Sequence, residues 1–128
     1  MLVTIMLFLL LSVVLWFPLY RYLVPRFYLV VGDSMYPTLS EGDVVMGFRP
    51  HPSEPLMDGE IYGYRLPSDE KKWVVKRLVH HRDGKCFFQG DNPCNSVDSR
   101  DYGLVDRSEV MFKVYWHKDM GGKGGIGG

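Results

Sequence analysis

Ser34 and Lys76 are the two side chains whose setting most readily suggests chemistry. Ser34 stands in "VVGDSMYPTLSEGDVVM", residues 30–46, a Gly/Pro-rich turn between two apolar runs. In such a turn the hydroxyl either bonds nearby backbone, the ordinary role of a turn serine, or is presented as a nucleophile. A nucleophilic serine needs a base. There is no G-x-S-x-G elbow, and the four histidines sit in unremarkable contexts. Lysine can serve if burial lowers its pKa from about 10.4 toward roughly 7–8, because only the neutral amine accepts a proton.

The run "KKWVVKRLVHH", residues 71–81, supplies that lysine. On an extended strand side chains alternate, so Lys76 shares a face with Val74 and Leu78, while Arg77 points the other way with Val75 and Val79. Apolar neighbours on both sides would depress the Lys76 amine. His80 is on the same face but about 13 Å along the strand, too far to serve the same hydroxyl. A lysine in an amphipathic strand is also commonly solvated or snorkelling, and spacing alone leaves both readings open.

The elements that must position these groups are short β-rich runs. Residues 27–31, 43–48, 60–66, 72–80, 85–89 and 110–115 are rich in aromatic or β-branched side chains. "PHPSEP", "LPSDE" and "RDGK" punctuate them as turns, and no long helical period appears after residue 22. The fold class expected is mostly β, a small antiparallel sheet or barrel-like domain behind one N-terminal transmembrane helix.

That helix is read from "MLVTIMLFLLLSVVLWFPLY", which contains no charged side chain. About twenty helical residues span roughly 30 Å, the thickness of a bilayer core. A cleavable secretory signal needs a basic start and a small-residue cleavage site. Here Leu2 and Val3 open the segment, and Trp16, Phe17, Tyr20 and Tyr22 beside Arg21 resemble an interfacial aromatic belt. Residues 1–22 are therefore expected to be a permanent single-pass anchor, 27–118 the globular domain, and the Gly-rich 119–128 a flexible tail. Arg21 and Arg26 follow the anchor and vote weakly for a cytoplasmic C-terminal domain.

Composition sets outer limits. In a chain of 128 residues about a hundred remain after the anchor, enough for one modest core. The formal net charge is zero, so nothing suggests nucleic acid as a partner. Two cysteines are too few for a disulfide-dense scaffold, and their spacing argues against a zinc cage with His80 and His81. Cys86 and Cys94 flank the turn at 89–93 and either pair, if their Cα atoms lie within about 7 Å, or remain two buried thiols. Asp91, Asp98 and Asp101 do not follow the order of an EF-hand loop, so no metal is expected there.

Taken in order, "GDSMYPTL" followed by "EGD", then "VVKRLV", then "QGDNPCNSVDSRDYGLV", the chain resembles the serine-lysine signal peptidase I family, which removes targeting peptides from exported proteins. The third block is the most specific: G-D-N, a serine four residues after the Asn, D-S-R, and a glycine three further on. The resemblance covers most of the chain after Leu29. It implies Ser34 as nucleophile and oxyanion donor through its backbone N–H, with Gly32, Met35 and Pro37 shaping the turn. It implies Lys76 as general base, Ser96 bonding and orienting the lysine amine, and Asp98 holding Arg77 and Arg100 in a supporting charge cluster. Some family members carry a serine two residues before the nucleophile as a second oxyanion donor; here that position is Gly32. Keeping Lys76, where other relatives use histidine, matches the bacterial and organellar pattern.

The family fold is an antiparallel β domain on the non-cytoplasmic face of a membrane, needing no cofactor. Its substrates, preprotein signal peptides, lie extended beside the strand before the nucleophile and the lysine strand. Small residues are preferred at the first and third positions before the cut. Val30, Val31 and Val74 are the expected pocket walls, the lipid bilayer is the other expected partner, and a partner subunit is left open. The 27–118 segment has no room for the large inserted domain of some bacterial members, which suggests a minimal or specialised peptidase. Two rival classes are self-cleaving repressors, which share G-D-S-M-x-P and V-K-R-L, and an inactive membrane-anchored domain binding peptides by strand addition. Such repressors usually begin with a DNA-binding helix-turn-helix and lack the D-S-R-x-x-G block, whereas this chain opens on an apolar segment and carries that block.

Overall fold

The computed structural model describes residues 1–118; the tail expected at 119–128 lies outside the described residues. The apolar N-terminal run forms helix α1, Leu2–Leu23, with Pro18 inside it. Within it Leu2–Tyr20 is long and apolar enough to cross a membrane, and none of its most apolar stretch is buried among the described residues. Seven strands follow: β1 (Arg26–Leu29), β2 (Val44–Phe48), β3 (Ile61–Leu66), β4 (Asp69–Arg82), β5 (Lys85–Gln89), β6 (Val105–Asp106) and β7 (Val110–Lys118). A four-residue helix, α2 (Ser99–Tyr102), precedes β6.

The fold is mostly antiparallel β, in the strand order β1-β2-β7-β3-β4-β5-β6. All six runs read from composition are strands. β4 is longer than its expected 72–80, because Pro67 and Ser68 alone make the turn from β3. At the other end Asp83 and Gly84, at φ 52° and 77°, make the tight turn into β5, the positive-φ pair that a two-residue hairpin with right-handed twist demands. Neither α2 nor β6 was expected, since four and two residues carry no period.

β4 is the hinge of the architecture. Its first half pairs with β3 and its second with β5, the change falling at Arg77, opposite both Ile61 and Gln89. Two apolar clusters result. One gathers Leu56, Tyr62, Tyr64, Leu78, Cys86, Phe88, Val105 and Val110; the other holds Met35, Leu39, Val45, Phe112 and Val114. Each buried side chain of this size is worth about 1.5–3 kcal/mol of transfer free energy. Phe112 lies flat over Gly47 and Gly63, where any Cβ would overlap its ring, and stacks on Tyr28 at 4.0 Å.

Candidate active site

Lys76 lies on the core face of β4, directly across from Tyr62, with Val74 and Leu78 at its own face positions. Only 4% of it is exposed. Desolvation pulls its amine below the ordinary lysine range, partly opposed by the charge of Asp98. The alternation read from the sequence holds as far as Leu78: Lys76 is buried, and Arg77 is half-buried on the other face. A bulge between Leu78 and His80 then pairs His80 with Phe87, so His80 is exposed on the face away from Lys76 rather than sharing it as expected.

Ser34 sits in the turn between β1 and β2. That turn is pinned at its base, where Val30 N–H donates to the Asp43 carbonyl at 2.8 Å and Gly42 N–H to the Val30 carbonyl at 2.9 Å. Gly32 has φ +81°, a left-handed conformation that a side chain would strain. Met35 is buried in the second cluster and fixes the turn to the core; the Tyr36–Pro37 peptide is cis. The outcome is a hydrogen bond of 2.6 Å from Lys76 Nζ to Ser34 Oγ.

The segment 90–96 grips the serine turn from the other side. Asn92 N–H donates to the Ser34 carbonyl at 2.9 Å, Asn92 Nδ2 to the Asp33 carbonyl at 3.0 Å, and Asn95 Nδ2 to the Asp33 carboxylate. Thr38 Oγ1 donates to Asp91 Oδ2 at 2.5 Å. These tethers were not anticipated. The G-D-N signal was visible in the sequence, but nothing in its spacing shows which backbone groups the amides reach.

Two of the expected supporting contacts are corrected. Arg77 does not join Asp98; its guanidinium makes a bidentate pair with Asp91, at 2.9 and 2.7 Å. Position on β4 explains this, because Arg77 faces away from Lys76 and opposite Gln89, two residues before Asp91. The bond holds the Asp91 carboxyl below the usual carboxylate range. Arg77 thus links the lysine strand, through Asp91 and Thr38, to the serine turn. Nor does Ser96 bond the lysine amine among the described residues: its hydroxyl donates to Asp98 Oδ2 at 2.7 Å.

Asp98 is fully buried. Burial pushes its pKa up, but donors from Arg100, the Gly90 N–H and Ser96 outweigh it and leave the carboxyl well below the ordinary range. Arg100 closes on it through Nε at 2.9 Å and Nη2 at 2.7 Å. Asp98 also caps α2 reciprocally with Asp101. Gly90 lies where a Cβ would overlap Ser96 Oγ and stand 2.5 Å from the Ser34 carbonyl oxygen.

A groove of about 450 Å³ opens over Ser34 and Lys76. Val30, Val31 and Val74 line it, with Leu29, Trp73, Val75, Asn95 and Val97 among the other lining residues.

No protein-family model matches the chain. Two proteins named mitochondrial inner membrane protease subunit 1, from Mus musculus and from Homo sapiens, are each 28% identical to it across 70% of this chain and 69% of their own. The chain is thus similar to these two protease subunits over 70% of its length. Neither histidine of β4 lines the groove. His81 Nδ1 pairs with Asp58 at 2.7 Å and His80 stacks on Phe87. No three of His, Cys, Asp or Glu converge on a metal position among the described residues. Cys86 and Cys94 are free thiols; Cys86 is buried and its pKa is pushed up to about 11, whereas Cys94 is exposed rather than buried.

Proposed function

We propose that this chain is a membrane-bound serine endopeptidase that cleaves signal peptides from exported preproteins, with Ser34 as nucleophile and Lys76 as general base. The observation that carries the reading is the 2.6 Å contact between Lys76 Nζ and Ser34 Oγ inside an otherwise apolar face. The neutral amine takes the Ser34 proton as Oγ bonds to the scissile carbonyl carbon. The oxyanion is met by the Ser34 N–H. Collapse breaks the C–N bond, and the protonated lysine gives its proton to the leaving amine. Water, deprotonated by the same lysine, then attacks the acyl-enzyme, releasing the carboxylate and restoring Ser34.

Specificity follows from the groove. Val30, Val31 and Val74 make shallow walls that suit small side chains at the first and third positions before the cut. The α1 helix anchors the domain, and the protease names of the relatives support a membrane setting. The catalytic domain faces the non-cytoplasmic side, as the family resemblance implies.

The test is the full chain in lipid with a preprotein carrying a small-x-small site, beside a copy with phenylalanine at the first position before the cut. The expected product begins immediately after the small residue, and the phenylalanine copy is cut at least about tenfold more slowly. Equal cutting of both, or cutting of neither, contradicts the assignment.

A further inference from the structure

Directly beyond α1 lies a second concavity, of about 140 Å³, that the peptidase chemistry does not use. Val24, the residue after the helix, and Tyr28 form its wall; Arg26, Arg49 and Arg65 line it together with Ser108. No carboxylate lines it. Among the described residues none of the three arginines makes an ion pair, although the other described ion pairs engage cations elsewhere on the domain. In a chain of zero net charge this is a local excess of cation. Three guanidinium groups around one hollow repel one another unless an anion is shared between them, and their planar forks match tetrahedral oxyanions.

The position identifies the anion. At about 1.5 Å per residue, the 22 residues of α1 span the hydrocarbon core of a bilayer. Val24 and Arg26 then fall at the depth of the headgroup phosphates. The volume suits a group of a few polar atoms, on the order of four waters, rather than a whole lipid. We propose that Arg26, Arg49 and Arg65 with Ser108 form a binding site for the phosphate of an anionic phospholipid headgroup, seating the domain against the membrane surface. The inference rests on α1 lying in a bilayer and not on the Ser34–Lys76 reaction, so lipid retention and peptide cleavage fail independently.

The experiment uses the full chain in neutral detergent with equal amounts of phosphatidylglycerol and phosphatidylcholine, and native mass spectrometry to count retained lipid. Wild type is expected to keep one phosphatidylglycerol in preference to phosphatidylcholine by about tenfold or more. In R26Q/R49Q that preference falls to near parity, a loss of about 30-fold at most on the usual attraction of two arginines to an anionic surface. K71Q/R82Q, which removes two cations outside the cavity, keeps it. Should the double variant misfold by circular dichroism, the single variants R26Q, R49Q and R65Q are read the same way. No preference in wild type, or equal loss in K71Q/R82Q, overturns the site. If wild type binds inorganic phosphate in lipid-free detergent yet shows no lipid preference, the cavity serves a soluble anion and the lipid assignment falls.

Discussion

The backbone N–H of Asn92 donates to the carbonyl oxygen of Ser34 at 2.9 Å, and the Asn92 side chain donates to the carbonyl of Asp33 at 3.0 Å. One residue thus holds two successive carbonyls of the turn that carries the serine. N92A keeps the first bond and removes the second. The expected result is a fall in kcat of about 10- to 100-fold with little change in KM, because displacement of a reacting group by about 1 Å costs that much. Steady-state kinetics on a signal-peptide substrate check it; an unchanged kcat would show that the turn holds itself.

Replacing Lys76 by methionine should abolish cleavage and yet raise thermal stability. Burial lowers the amine's pKa, so the charged form is penalised in the folded state. The penalty is full below the lowered value and disappears as pH rises to the ordinary lysine range, since the unfolded chain binds the extra proton across that window. At neutral pH K76M escapes it. A melting temperature lower than wild type at pH 7 would contradict the burial argument.

Much of this arrangement was legible in the sequence, and the boundary is a physical one. The alternation in "WVVKRLV" placed Lys76 among apolar side chains correctly, because a two-residue period is a property of the strand itself. Asp83-Gly84, within the "RDGK" read as a turn, makes the tight link from β4 to β5 for the same local reason. Partner choice was another matter. Arg77 had several carboxylates within plausible reach, and only the antiparallel register of β4 with β5, which sets Arg77 opposite Gln89, delivers it to Asp91. The exposure of Cys94 likewise depends on how the 90–96 segment folds over the serine turn, not on its composition.

Gly90 is expected to be intolerant of even one methyl. The added carbon would collide with Ser96 Oγ and the Ser34 carbonyl oxygen, neither of which is the free end of a flexible chain. G90A should lose about 1–3 kcal/mol of stability and most of its activity together. Chemical denaturation and cleavage rates measure both. Gly59 supplies the comparison: a Cβ there meets nothing within 4 Å, so G59A carries only the strain of its positive φ, and activity is retained.

The Asp98–Arg100 pair is expected to govern acid stability. The Asp98 carboxyl lies below its ordinary range, so it contributes stability that is fully present above about pH 4 and lost as pH falls through and below that range. R100Q leaves a fully buried carboxylate without its countercharge. The loss is smaller than for a wholly buried pair because the Arg100 side chain is 35% exposed. The midpoint of acid unfolding, followed by circular dichroism, should move to higher pH; an unchanged midpoint would mean that Gly90, Ser96 and the α2 backbone suffice.

The central claim is that Lys76 is the proton acceptor for Ser34. The most direct measurement is kcat/KM of the full chain in lipid across pH 6–10, with S34A and K76A alongside. The account gives a wild-type rate that climbs with pH and levels off below the ordinary lysine pKa of about 10.4, and no cleavage by either variant. A flat profile with K76A still active would remove lysine from the mechanism.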